Sequence, residues 1–313
     1  MSAFKSSSSR EGGPAFFLRD RLARLRRALL AKAMRSVLPQ LNRALPFTFS
    51  GDRAFNYVEF LFKQSRFPRK RMLFNDYLFR MQMSGELLSL PRQIVSDKEF
   101  CKVYVDHKIG AGRTIPTIAV LRSKDDVSSY AFPDRCVIKA THSSGLTVIR
   151  GDGESLDFEQ IRSWFDKSLY SSSREQNYKY LESKVIIEPI VFDGVMFEIK
   201  IHCYRGEARV FSVQPVEAGT LERFDRYWNR MPLRQNKPLP SVSTPRPDCL
   251  DEIIAAADKL SSDFEYIRVD FYVCNKAWLV GELTNCHTNI NSRFPDLKQE
   301  QVFSRTLFGD EVE

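Results

Sequence analysis

The chain has 313 residues, with 47 Lys and Arg against 39 Asp and Glu for a formal net charge of +8. Ten of the basic residues (Lys5, Arg10, Arg19, Arg21, Arg24, Arg26, Arg27, Lys32, Arg35, Arg43) and only two acidic ones (Glu11, Asp20) fall within residues 1–50, so the rest of the chain balances at 37 against 37. The basicity belongs to an N-terminal arm, which disfavours a nucleic-acid footprint over the body; 43% hydrophobic residues with 24 Phe and 11 Tyr exclude a disordered or fibrous chain, and no run approaches the roughly 18 apolar residues of a membrane span.

Ser6 to Gly13 reads as a small, polar, disordered tract. From Phe16, the residues Leu18, Leu22, Leu25, Leu29, Met34, Val37 and Leu41 recur mostly at steps of three and four with arginines between them, which predicts a basic amphipathic helix closed by Pro39 and Pro46. Arginine breaks every apolar run between Phe16 and Val37, so the arm has no signal-peptide core. Such a helix serves an anionic membrane surface or packs on its own body or a partner, and both readings stand. Residues 51–95 read as helix and loop with a second basic cluster at Arg69-Lys70-Arg71. Short β-rich runs follow at 135–140, 184–191, 197–204, 208–213, 267–273 and 277–283, with helical stretches at 157–169 and 248–262 and a Pro-rich loop at 232–247. The six cysteines are far apart without a Cys-x-x-Cys and read as reduced packing thiols of a cytosolic protein. Interleaved helices and hairpin-like strand pairs predict an α+β fold.

Four constellations could carry chemistry. Val137 to Gly145 is a strand ending in Lys139 followed by the small-residue loop His142-Ser143-Ser144-Gly145. Lysine can neutralise a phosphate and a glycine-containing loop can bring backbone N–H groups to phosphate oxygens, although an exposed strand-end lysine and an ordinary turn would look the same. In Ile267 to Phe271, alternation puts Arg268 and Asp270 on one face, and a short turn at Asn275-Lys276 returns the chain towards Glu282. If the two runs form a hairpin, Asp270 and Glu282 lie side by side, and facing carboxylates call for a cation such as Mg²⁺ or for another neutralising group. Val185 to Val191 is an apolar strand interrupted by Glu188 and Pro189, which suits an edge or a strand end. Glu198 and Lys200 share one face of a fourth run and read equally as a surface ion pair. The four histidines are too scattered for a metal cage or a triad.

Taken in order, Ser96-Asp97-Lys98, Ile138 to Gly145, Ile187-Glu188, Glu198-Ile-Lys200, Leu260-Ser261, Arg268-Val-Asp270 and Gly281 to Thr284 resemble the ATP-grasp superfamily, in particular its TupA-like branch, from about Asn75 to Phe308. The resemblance implies an ATP-grasp fold of two α+β lobes enclosing the nucleotide, at 96–191 and 192–313, after a helical region at 51–95 and the arm at 1–50. It implies ATP contacts from Lys98, Lys139, the His142 to Gly145 loop, Glu188 and the backbone near Ile190. It also implies Mg²⁺ on Asp270 and Glu282, with Thr284 or Asn285 completing the set, Arg268 beside the transferred phosphoryl group and Lys200 as a further basic contact. Many relatives end the metal motif as Glu-x-Asn where this chain has Glu282-Leu283-Thr284-Asn285, and Cys286-His287-Thr288-Asn289 departs from their continuation. The implied activity is carboxylate–amine ligation through an acylphosphate in a cell-envelope or capsular polysaccharide pathway, with a carboxylate such as a uronic acid and an amine as substrates. It would take place in the cytoplasm, with residues 16–45 available to an anionic membrane face. Phosphoryl transfer to a saccharide hydroxyl and a non-catalytic nucleotide-binding or membrane-docking module are the alternatives.

Overall fold

A computed structural model describes residues 34–191, 197–214, 219–233, 238–286 and 293–312. The chain divides into two compact units, residues 1–46 and 47–313. In the first, residues 34–44 are helical, and the helix runs through Pro39 to end ahead of Pro46. Pro39 therefore does not close it: a proline removes one N–H from the helical ladder without compelling the chain to leave the helix. The arm pattern between Phe16 and residue 33 lies outside the described residues.

The second unit opens with helices α1 (Phe49–Gln64), α2 (Phe74–Ser84), α3 (Leu90–Ser96) and α4 (Lys98–Ile109). There follow β1 (Ala119–Leu121), α5 (Lys124–Ser129), β2 (Cys136–Ala140), β3 (Thr147–Arg150), α6 (Phe158–Ser163), α7 (Leu169–Ser173) and β4 (Val185–Glu188). The chain continues through β5 (Phe197–Tyr204), β6 (Glu207–Gln214), β7 (Glu222–Asp225), α8 (Leu250–Ser261), β8 (Tyr266–Cys274), β9 (Ala277–Thr284) and α9 (Leu297–Phe308). The strands form a four-stranded sheet in the order β1-β4-β2-β3 and a five-stranded sheet in the order β7-β6-β5-β8-β9, with every named pair antiparallel. This is the expected α+β architecture.

Strand alternation decides what each sheet face becomes. In the larger sheet, Ile199 and Ile201 of β5, Phe211 and Val213 of β6 and Ile267, Val269 and Phe271 of β8 share one fully buried face. Against it packs α8 through Leu250, Ile253, Ala257 and Leu260, each large side chain contributing about 1.5–3 kcal/mol on burial. The opposite face meets an aromatic cluster from α2 and α9, Phe74, Tyr77, Phe303 and Phe308 around Tyr204 and Tyr266. In the smaller sheet, Cys136, Ile138, Val185 and Ile187 pack on Val127, Ile161 and Trp164 of the α5–α6 side, which leaves Val137, Lys139, Ile186 and Glu188 on the other face.

Three strands, β1, β3 and β7, have no counterpart in the sequence reading; they span three or four residues, too short for alternation to stand out. The predicted 157–169 helix is broken: α6 passes into a 3₁₀ turn at Trp164–Asp166, and α7 starts afresh with Ser168 accepting the Ser171 N–H at 3.1 Å. The break has a tertiary cause, since the carbonyls of Trp164 and Lys167 both face the ring of His142 at 3.1 Å. Of the two readings of Val185 to Val191, the strand end holds and the edge does not. β4 lies between β1 and β2, and Pro189 follows its last residue, where a missing N–H costs the ladder nothing.

A buried polar knot ties α1 to α7. Asp52 accepts from Arg174 Nη1 at 2.9 Å and from the Tyr170 hydroxyl at 3.0 and 2.9 Å, with Asp52 and Arg174 both wholly inaccessible. Neutralising Asp52 takes a charged partner from a wholly buried arginine. Asp52→Asn is expected to destabilise the protein by about 3–5 kcal/mol, read as a lower urea midpoint; a midpoint within error of the wild type would mean that the pair holds nothing together.

Candidate functional site

The polar face of the larger sheet and the inner face of the smaller one line a single cavity of about 530 Å³. Register puts Arg223 beside Ser212, Ser212 beside Lys200, Lys200 beside Asp270 and Asp270 beside Glu282, one row across all five strands. The last step of that row depends on a bulge. Phe271 pairs with Val280 and Asp270 with Glu282, so Gly281 is the extra residue. An unbroken ladder would set Gly281 opposite Asp270 and turn Glu282 to the apolar face; the inserted residue reverses the alternation and delivers Glu282 to the cavity.

The carboxylates brought together in this way are held by cations. Arg268 clasps Asp270 with two bonds, Nε to Oδ1 and Nη2 to Oδ2, both at 2.6 Å. Its Nη2 also reaches Glu282 Oε1 at 3.2 Å and Thr284 Oγ1 at 3.0 Å, and Thr284 in turn donates to Glu282 at 2.9 Å. Lys200 Nζ lies 3.3 Å from Asp270 and 2.9 Å from Glu198, so this lysine serves the site and not only a surface pair. Burial favours the neutral form of Glu282, but Arg268, then Lys98, hold its carboxyl below the usual range. Asp270 is pushed up, because burial and Glu282 outweigh Arg268. Asp270 is buried and both its oxygens are taken, whereas half of the Glu282 side chain is open.

From the opposite wall come Lys139 at the end of β2 and Lys98, the first residue of α4, which Asp97 caps through the N–H groups of Glu99 and Phe100. Lys98 Nζ donates to the Ser143 carbonyl, and burial lowers its pKa despite Glu282. Glu188 spans two lysines, Lys139 at 2.7 Å and Lys102 at 2.5 Å. It thus fixes two lysines of the cavity lining. Ile190 lies instead in an adjoining apolar slot of about 280 Å³ with Val137, Ile149, Pro189 and Tyr272.

The loop after β2 divides in two. Ser144 and Gly145 line the cavity, Gly145 at φ 79° in the left-handed region that glycine tolerates. His142 and Ser143 are buried outside its lining. The His142 ring accepts the Lys184 N–H at Nδ1 (3.3 Å) and donates from Nε2 to Trp164 and Lys167, the pattern of a neutral ring whose pKa burial lowers. It is a structural clip. Asn285 is also turned away: its amide serves the Arg92 carbonyl and Ser96 Oγ at 3.0 and 2.9 Å, and its oxygen accepts from Arg92 at 3.0 Å. Among the described residues no group of three or more His, Cys, Asp or Glu could cage a metal, so a cation here would rest on the Asp270–Glu282 pair. Residues 287–289 lie outside the described residues.

The TupA-like ATP-grasp family profile matches residues 79–307. The chain belongs to the TupA-like ATP-grasp family. No curated protein sequence matches it. Among solved structures, D-alanine–D-alanine ligase of Helicobacter pylori is 16% identical over 68% of this chain and 61% of its own, with a TM-score of 0.38. Phosphoribosylamine–glycine ligase of Thermotoga maritima is 14% identical over 69% and 51%, also at 0.38. The ATP-grasp ligase PsnB, in complex with a minimal precursor, is 11% identical over 74% and 70%, at 0.37. This ATP-grasp chain thus spans 61% and 51% of the first two.

Sequence reading missed Lys102, Ser212, Arg223, Glu175 and Tyr178 of the cavity lining. Lys102 follows Lys98 by four residues on one helix and was within reach of pattern reasoning. Ser212 and Arg223 gain meaning only from strand register.

Two outcomes check this geometry. A Cβ on Gly281 would stand 2.7 Å from Tyr272 Cε2, so Gly281→Ala is expected to lose about 1–3 kcal/mol. A double-mutant cycle with Tyr272→Ala should show strong coupling; simple additivity would clear Tyr272 of the clash. Burial pushes Glu175 up to about 7, opposed by Ser173 and Lys63 and assisted by Glu59. The folded state then retains a proton that the unfolded chain releases near its ordinary range, so wild-type stability declines as pH rises towards and through 7. Glu175→Gln should match the wild type near pH 5 and exceed it near pH 8 in denaturant melts; parallel pH profiles would contradict the assignment.

Proposed function

We propose that this ATP-grasp protein is an ATP- and Mg²⁺-dependent ligase that joins a carboxylate to an amine through an acylphosphate. The observation that carries the reading is the cavity's charge layout: Lys98 and Lys139 face Arg268, Lys200 and Glu282 across one enclosed space. Phosphoryl transfer needs neutralisation and alignment more than covalent help from the protein, and this layout suits that demand.

Adenine would occupy the slot beside Ile190 and Tyr272, with the phosphates reaching Lys139, held straight by Glu188, and Lys98. The Ser144–Gly145 backbone would close over them, excluding water that hydrolyses an acylphosphate. Glu282, with an open oxygen, and Asp270 offer the hard oxygen donors that Mg²⁺ prefers. Bound there, the ion would neutralise phosphate charge, and Asp270 would exchange its Arg268 bonds in part for it. A substrate carboxylate oxygen attacks the γ-phosphorus and ADP leaves with the bridging electron pair. The amine then attacks the acyl carbon, a C–N bond forms, phosphate departs and the ammonium proton passes to solvent or a nearby base. Arg268 and Lys200 stabilise the anionic acyl species. A uronic acid of an envelope saccharide as the carboxylate, and residues 16–45 as a contact to an anionic membrane face on the cytoplasmic side, are part of this proposal.

MgATP with panels of uronic acids and amino acids is expected to yield ADP and a product lighter by one water than its reactants, by mass spectrometry. Arg268→Ala should lower turnover by about 10²–10³-fold. A stable phosphate ester, or full activity in Asp270→Asn combined with Glu282→Gln, would sink the ligase reading.

A further inference from the structure

We propose that the loop at residues 66–71 (Arg66-Phe67-Pro68-Arg69-Lys70-Arg71) is a docking surface for an anionic membrane, separate from the N-terminal arm and independent of the ligase reading. The loop joins α1 to α2, and two inward-turned arginines fasten it. Arg66 donates to Asp76 at 2.7 Å and to Glu300 at 3.2 Å, while Arg80 donates to the carbonyls of Arg69 and Arg71 at 3.3 Å each. One oxygen of Asp76 and both of Glu300 are thereby engaged: Asp76 Oδ1 also accepts the Arg69 N–H at 2.8 Å, and Glu300 Oε1 the Asn75 N–H at 3.2 Å. The side chains of Arg69, Lys70 and Arg71 stand exposed and form no ion pair among the described residues, and Phe67 beside them is 72% exposed.

Three adjacent cations repel one another in water, and a bare phenyl ring gains nothing there. An anionic bilayer surface relieves both, since cations meet headgroup phosphates while the ring enters the acyl boundary. A nucleic acid is the weaker match: tracking its phosphates takes cations spread along a face, whereas residues 51–313 are charge-balanced and these three sit in one loop around an apolar residue.

The test is sedimentation of the full chain with phosphatidylcholine vesicles with and without phosphatidylglycerol, at sub-saturating lipid. The variants are the triple Arg69→Gln, Lys70→Gln, Arg71→Gln and, separately, Phe67→Ser, with ATP binding and thermal melts as folding controls. The wild type should prefer the anionic vesicles, and the triple variant should partition about 100-fold more weakly at low salt. Phe67→Ser should weaken binding by a factor that persists at high salt, because an apolar contact is not screened. Equal partition of the wild type and Phe67→Ser, equal binding to neutral and anionic vesicles, or a wild type that prefers single-stranded DNA to the vesicles would each overturn the proposal.

Discussion

One extra residue in β9 governs the site. Strands alternate, so a residue faces the apolar core or the cavity according to its parity, and a continuous β8–β9 ladder would bury Glu282 against α8. The bulge at Gly281 shifts parity once. Val280 still packs in the core with Phe271, and Leu283 with Val269, yet Glu282 and Thr284 come to the polar face beside Asp270 and Arg268. The position must be glycine because the Tyr272 ring lies where a Cβ would be. The same ring is shared by the main cavity and the apolar slot, so the backbone irregularity that places the carboxylate also shapes the boundary between the two spaces.

The charges around this bulge are mutually satisfied and therefore exchangeable. Arg268 divides itself among Asp270, Glu282 and Thr284, Lys200 between Glu198 and Asp270, and Glu188 between two lysines. A buried ion pair gains little net stability once desolvation is counted, so such a network is better understood as holding cations in place than as cementing the fold. The fold's cohesion comes from elsewhere: the α8 core beneath the larger sheet and the aromatic cluster of α2 and α9.

Much of this was legible in the sequence wherever a repeat ran long enough. The strands β5 and β8 and the one-sided apolar face of α8 run for eight or more residues without a break in period, and Lys98, Lys139, Lys200, Arg268 and Glu282, singled out by motif order, come together around one cavity with Asp270 bonded to Arg268. The short strands β1, β3 and β7 were not legible, since three or four residues carry no period, and β4 was read only within a longer apolar run at 184–191. Nor were the side chains whose duties are set by distant partners. His142 sits in a loop that reads as phosphate-binding but clips the α6–α7 turn, and Asn285 ends a metal-like motif but serves Arg92 and Ser96, about 190 residues earlier in the chain.

By itself, the sequence determined composition-level facts and local ones: a basic arm of residues 1–50 against a neutral body, an α+β succession, and the identity and order of the charged residues. These follow from residue type and from periods of two and 3.6, which need no knowledge of neighbours in space. Tertiary structure alone decided that Glu282 faces Asp270, that β4 is interior, that Ser212 and Arg223 share a row with Lys200, and that Arg69, Lys70 and Arg71 stand exposed beside Phe67 with no ion pair among the described residues. Each of these turns on register, a bulge, or which acid a remote arginine occupies. Such pairings are fixed by packing between segments far apart in the chain, and nothing in local sequence encodes them one residue at a time.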